Sequence, residues 1–372
     1  MPRTLPSLIT PLTTPVPAGF RKESTLSAID LDTMHGLAPV INALPGEPVP
    51  YYLASGEGLR YERDGQLWTV IARGADTGGL FDAAFVLGPR GAKTPFHSLN
   101  DHQRSYYVFE GSAQFWLAGQ SRVLVPGDSI HVPAGTPVAY RILSHMTRLL
   151  FFSAPSGALD ALASETGVDR HVYSPAGSGE LFLPAGAERH DLPLVAAQDA
   201  WDDQLPAGAE GYFLRSRGGD RRGWPDAINA YTARGRNTGG RYFSVSTLAA
   251  PQPYIVRHFH QQHSENFLCL SGRIWLWANG QEILLTPGDF LHAPAGTIHS
   301  FAIAAHNTQM LGLLTSDVFE PFFDVTGVAT DDLVYTEGLI DPSVVMGGMQ
   351  ANPDLDLVVV GGPPQRVRAA DL

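Results

Sequence analysis

Residues 258–272 read HFHQQHSENFLCLSG, and residues 288–299 read GDFLHAPAGTIH. These two stretches decide the fold, because strand-forming residues are interrupted by polar groups at spacings a plain sheet has no use for. On a strand alternate residues share a face, so His258 and His260 point one way and Phe259 the other. The polar turn through Gln261–Ser264 brings the chain back as a second strand carrying Glu265. Phe267 and Cys269 continue the face of Glu265. Gly288–Asp289 and Pro294–Gly296 shape a further hairpin that delivers His299. Three imidazoles and one carboxylate then converge inside a barrel. That N3O set suits one divalent transition metal ion per chain, and Fe, Mn, Ni, Co, Cu and Zn are not distinguishable from the donors alone.

The same text is written twice. Gly111 recurs as Gly272, 161 residues on, and the same shift carries Tyr51 to Tyr212 and Ala72-Arg73-Gly74 to Ala233-Arg234-Gly235. It also carries Thr77-Gly78-Gly79 to Thr238-Gly239-Gly240, Pro126-Gly127-Asp128 to Pro287-Gly288-Asp289, His131 to His292, and Pro133-Ala134-Gly135-Thr136 to Pro294-Ala295-Gly296-Thr297. An ungapped match of this length is a duplicated domain.

Within each copy, runs such as QFWLAG (114–119) and IWLWANG (274–280) are aromatic and β-branched, end in small turn residues, and are followed by another apolar run. Asn279-Gly280 predicts a tight hairpin. Short strands with Pro-Gly and Ala-Gly turns at regular spacing predict a sandwich or barrel. Short helical periodicity follows each barrel, at Leu159–Thr166 and Phe319–Val325. The divisions expected are an arm over 1–45, a first barrel over 46–175, a linker over 176–206, a second barrel over 207–340 and a tail over 341–372. Arm and tail are expected to pack on the partner domain or on a second subunit, which leaves a homodimer open.

Composition narrows the partners. The 372 residues are 44% hydrophobic with a net charge of −12, which disfavours both disorder and a nucleic-acid partner. The one basic run, Arg215–Arg222, reads as a solvated loop. Cys269 is the single cysteine, so no intrachain disulfide forms; it reads as a small buried hydrophobe. Prolines break the N-terminal stretch where a signal peptide needs an apolar run, and no segment is apolar for the length of a membrane span, so a cytoplasmic protein without membrane contact is expected.

The pattern His-x-His-x4-Glu-x6-Gly, followed by Gly-x5-Pro-x-Gly-x2-His, resembles the two cupin motifs. With TGG ahead of each motif region and PGD…PAGT within it, the duplicated arrangement over residues 50–335 is similar to the quercetin 2,3-dioxygenase family of bicupins. The resemblance implies an all-β chain: two tandem cupin (double-stranded β-helix, or jelly-roll) barrels with short flanking helices. It places the metal ligands on His258, His260, Glu265 and His299, and gives Glu265 a second role as the general base that takes the substrate's enolic proton. It implies a metal-dependent dioxygenase that consumes O2 and opens the heterocycle of a flavonol, or of a related enolic or phenolic aromatic, releasing carbon monoxide and a phenolic ester. A cupin isomerase or hydrolase acting on a small aromatic or polyketide-like substrate, or a metabolite-binding bicupin without catalysis, stands as the alternative, because fold alone does not fix reaction.

Phe267, Phe301 and His263 are candidate substrate contacts. Both phenyl rings also read as core filling, and His263 reads as a turn residue with its ring in solvent, an alternate ligand or a proton shuttle. In the first copy the ligand positions hold His97, Leu99, Arg104 and Val138. Leu and Val do not coordinate, and Arg104 puts a fixed positive charge where a cation would sit, so that barrel is expected to be structural. The remaining options there are a makeshift site of His97, Asp101 and His102, or a small-molecule pocket around Arg104, Tyr106 and Tyr107.

Overall fold

The computed structural model describes residues 37–160, 186–201 and 203–365. Most of the arm, the helical reading beyond residue 160, the first ten residues of the expected linker and the last seven of the tail lie outside the described residues.

The predicted hairpin forms: Ile274–Ala278 pairs antiparallel with Gln281–Leu285. Asn279 and Gly280 at the turn take φ of +45° and +90°, the left-handed pair that matches the twist of the strands. Its twin in the first half joins Ala113–Leu117 to Gln120–Leu124. Each half is a sandwich of two antiparallel sheets. The first half packs a seven-stranded sheet against a five-stranded one, and the second half an eight-stranded sheet against a five-stranded one. Phe115, Tyr140, Phe151 and Val138 fill the first sandwich, and Phe267, Cys269, Leu276 and Leu291 the second.

The two halves exchange edge strands. Tyr51–Leu53, from the start of the first half, pairs with Phe290–Ala293 of the second. Tyr212–Leu214 returns the favour on Ser129–Val132. The repeated PGD tripeptide explains itself here. Asp128 Oδ1 accepts the Ser216 N–H at 2.9 Å, and Asp289 Oδ1 accepts the Ser55 N–H at 2.7 Å. Gly127 and Gly288 take positive φ, and a Cβ at either would overlap the side chain of Ser216 or Ser55. His131 and His292 belong to this joint, each ring lying about 5 Å from a tyrosine of the other half, Tyr212 and Tyr51. Burial drops them to about 4 and about 3, so both stay neutral structural groups.

The TGG tripeptides also act on the backbone. Each closes a single helical turn, Gly74–Thr77 or Gly235–Thr238, at a left-handed glycine. Thr77 Oγ1 then donates to Phe81 O at 2.9 Å and Thr238 Oγ1 to Tyr242 O at 2.5 Å.

Three local expectations change. The expected linker holds a strand, Ala187–Arg189, on the edge of Lys93–Leu99. Arg221–Trp224 is a strand as well, and Arg222 pairs with Asp324 at 2.7 Å, so the last two residues of the basic run are sheet. The tail carries a helix, Ser343–Ala351, and a strand, Val358–Gly361, laid on its own half beside Arg257–Phe259. The described end of the arm crosses to the second half, where Gln281 Oε1 accepts the Val40 N–H at 3.1 Å. The helix expected near Phe319–Val325 runs from Pro321 to Thr326. Among the described residues no helix is long and apolar enough to cross a membrane.

Candidate metal centre

His258 lies on Arg257–Phe259 and His299 on His299–Ile303, and the two residues face each other directly across the strand pair. His260 follows the first strand, and Glu265 lies on Ser264–Ser271. One donor atom from each of His258, His260, Glu265 and His299 falls within 4.8 Å of all the others.

Each imidazole is held by its outer nitrogen. His258 Nδ1 donates to Val256 O at 3.0 Å, His299 Nδ1 to Thr297 O at 2.9 Å, and His260 Nδ1 to Asp356 O at 2.6 Å. A carbonyl only accepts, so each Nδ1 carries a proton and Nε2 is the nitrogen turned inward. His260 Nε2 and His299 Nε2 both lie 3.0 Å from Glu265 Oε2. Burial, followed by the neighbouring His299 and His260, pushes His258 well below the ordinary imidazole range, so its ring is neutral. Burial acts to raise the Glu265 carboxyl, but its close contacts with the inward nitrogens of His260 and His299 outweigh it and hold the group well below the ordinary glutamate range. A buried carboxylate ringed by lone pairs is costly without a compensating charge, and a divalent cation at the centre supplies it. The donor set fits a metal ion.

Sequence comparison adds an independent line. The cupin domain model matches residues 84–153 and 245–314. The chain is 38% identical over 298 residues to quercetin 2,3-dioxygenase of Bacillus subtilis, covering 77% of this chain and 88% of that one. It belongs to the quercetin 2,3-dioxygenase family. A second quercetin 2,3-dioxygenase, from Aspergillus japonicus, is 33% identical over 87 residues, 22% of this chain and 25% of that one. Among solved structures, one of oxalate decarboxylase from Bacillus subtilis aligns over 87% of this chain and 90% of that one with a TM-score of 0.50 and 12% identity, a likeness of fold. The chain is thus an all-β bicupin and an oxidoreductase of the dioxygenase class.

Within this bicupin the secondary candidates sort themselves. Phe267 is fully buried, its ring edge-on to His299 at 5.5 Å and 6.3 Å from the partly buried Phe301. Both belong to the second cupin's core cluster, and Phe267 also forms the wall next to a donor. Cys269 is buried on the same face, and burial together with Asp289 lifts its thiol to about 12, so it stays a thiol. The solvent reading of His263 is wrong. Its ring is 1% exposed, stacks on Phe319 at 4.9 Å, and donates from Nδ1 to Asp356 Oδ2 at 2.7 Å. It does not face solvent, because a carboxylate from far along the chain folds in to meet it.

That carboxylate, Asp356, is the residue sequence reasoning missed. It also accepts the N–H groups of Gln261 at 2.9 Å and Gln262 at 3.0 Å. Burial acts to raise its carboxyl, but these bonds prevail and hold it at about 2. Nothing in its surroundings in sequence marks it, since its partners lie more than ninety residues upstream.

The first cupin is closed by its own arginine. Arg104 is fully buried, its Nη1 3.0 Å from His97 Nε2 and its Nη2 2.9 Å from Thr136 O. His97 Nδ1 donates to Pro95 O at 3.0 Å, so its Nε2 is the acceptor for the guanidinium. Burial and Arg104 lower His97 to about 4, which keeps that acceptor available. His97, Asp101 and His102 form no donor cluster among the described residues, and His102 Nε2 lies 3.2 Å from Ser156 O. A cavity of about 370 Å³ does exist, between Trp224, Ile228, Tyr335, Leu339 and Ile340, but none of the four donors lines it.

Proposed function

We propose that this bicupin is a metal-dependent, ring-cleaving dioxygenase acting on a flavonol or a related enolic or phenolic aromatic, with its chemistry in the second cupin. The observation that carries the reading is the convergence of His258, His260, Glu265 and His299, every imidazole turned inward by a carbonyl on its Nδ1. These four would hold one divalent ion, which when bound supplies Lewis-acid charge for an enolate oxygen and a template for dioxygen.

The protein's own groups do the rest. Glu265 is ionised and walled in, so a substrate hydroxyl at hydrogen-bond distance finds a base with little competing water. Both rings address Oε2, so Oε1 is the oxygen left to receive the proton. Phe267 gives the site an apolar side on which a flat aromatic excludes water. Taking the proton makes the substrate an electron-rich enolate, the form that dioxygen attacks.

Oxygen uptake with quercetin, read together with carbon monoxide release, tests the proposal. Equal consumption of O2 and production of carbon monoxide is expected. Conversion of quercetin without oxygen would make the protein an isomerase or hydrolase, and binding without turnover a carrier.

A further inference from the structure

The second cupin's centre is completed by a segment that belongs to neither motif. Residues Leu355–Gly361 come back along the edge of the five-stranded sheet, and Val358–Gly361 pairs with the very strand that carries His258. Asp356 sits where this segment passes the turn between the two ligand-bearing strands. Its main-chain oxygen takes the His260 Nδ1–H at 2.6 Å. Its carboxylate takes Gln261 N–H, Gln262 N–H and His263 Nδ1–H at 2.7–3.0 Å. One residue therefore fixes the proton position and ring plane of His260 and also the backbone of the turn leading to Glu265. His260, His263 and Asp356 crowd closely enough to resemble a second ion site, but the carboxylate is already occupied by three donors and His260 has one inward lone pair to give.

The first cupin provides an internal control. A strand is laid on the same edge there, with Glu188 opposite Ser98 and Arg189 opposite His97. In the second cupin Val358 stands opposite Phe259 and Val359 opposite His258. Following both registers back by two residues puts Gly186 where Asp356 stands, and the residue to be held is Leu99 where the second cupin has His260. Both cupins have the strap. Only the one with a ring to orient has the acid.

We propose that Leu355–Gly361 is a strap and that Asp356 is a positioning residue for the metal centre, holding His260 and the Gln261–His263 turn in ligand geometry. The proposal rests on the four-donor reading above. Asp356→Ala keeps the main-chain oxygen behind His260 but removes the carboxylate that ties this segment to Gln261, Gln262 and His263. A hydrogen-bonded partner behind a ligating imidazole is commonly worth about 10- to 100-fold in metal affinity. Loosening rather than deleting it is expected to weaken Co(II) binding by about 10-fold, the low end of that range, in competition with a chelator. The variant's visible Co(II) spectrum is expected to change, because a His260 ring whose backbone partner is no longer anchored shifts in the ligand field, whereas a purely structural role would leave the spectrum of the bound ion alone.

Asp356→Asn keeps an oxygen for one N–H but turns an amide nitrogen on another donor, and an intermediate loss is expected. If Asp356→Ala lacks a cooperative unfolding transition, Asp356→Asn is read by the same two measurements. Affinity and spectrum both equal to wild type in the folded variant would overturn the strap. Glu265→Ala separates the two claims. If it loses Co(II) while Asp356→Ala does not, only the strap fails; if it binds Co(II) as the wild type does, the four-donor centre itself fails.

Discussion

The two cupins are the same scaffold with opposite charge arrangements at the same point. His258 and His97 occupy matching positions, each with Nδ1 donating to a carbonyl two residues back at 3.0 Å and Nε2 turned inward. In the second cupin that lone pair joins two further imidazoles and a carboxylate. In the first it accepts from the Arg104 guanidinium. The same inward position holds donors suited to a metal ion in one copy and a covalently attached cation in the other. The backbone, the glycine turns and the reciprocal Asp128–Ser216 and Asp289–Ser55 bonds are indifferent to that choice. Scaffold and chemistry are thus separable, and they fail differently.

The largest asymmetry should appear in turnover. Glu265→Gln keeps a ligating oxygen but removes the base, so kcat is expected to fall by about 10²- to 10⁴-fold while metal content falls only partly. Near-normal oxygen uptake in this variant would remove the base role. Next comes conversion of the first cupin. The triple variant Leu99→His, Arg104→Glu, Val138→His recreates the second cupin's donors on a backbone that already locks His97, and it is expected to take up a second Zn(II) per chain by equilibrium dialysis. Failure of a folded triple variant to do so would mean that the two scaffolds are less alike than their hydrogen bonds indicate.

The smallest effect should be symmetric. Gly127→Ala and Gly288→Ala each force a side chain into positive φ and against the other half's serine. Each is expected to lower stability by about 1–3 kcal/mol, read as similar shifts in chemical denaturation. A loss confined to one of the two would break the symmetry claimed for the joint.

The fold and the convergence of His258, His260, Glu265 and His299 were legible because they rest on local spacing. Alternation puts His258 and His260 on one face, the polar turn Gln261–Ser264 returns Glu265, and the glycine-bearing turns at Gly288 and Gly296 lead to His299. What stayed hidden rests on distant backbone pairing, which any sequence of suitable shape can make. The strand exchange through Tyr51–Leu53 and Tyr212–Leu214 reads as ordinary short strands until its partners are seen. Asp356 lies 93 residues from the ring it holds, in a segment with no periodicity. His263 was misread for the same reason: polar neighbours Gln261, Gln262 and Ser264 announce an exposed turn, and the aspartate and Phe319 that bury it come from elsewhere.

Metal content per chain probes the contrast between the cupins most directly. Elemental analysis of purified protein should find about one first-row ion per chain, and almost none once His260 and Glu265 are both changed to Ala. Two ions in the unaltered protein, or one retained after that double change, would contradict the division of labour between a charged plug in one half and a coordinating centre in the other.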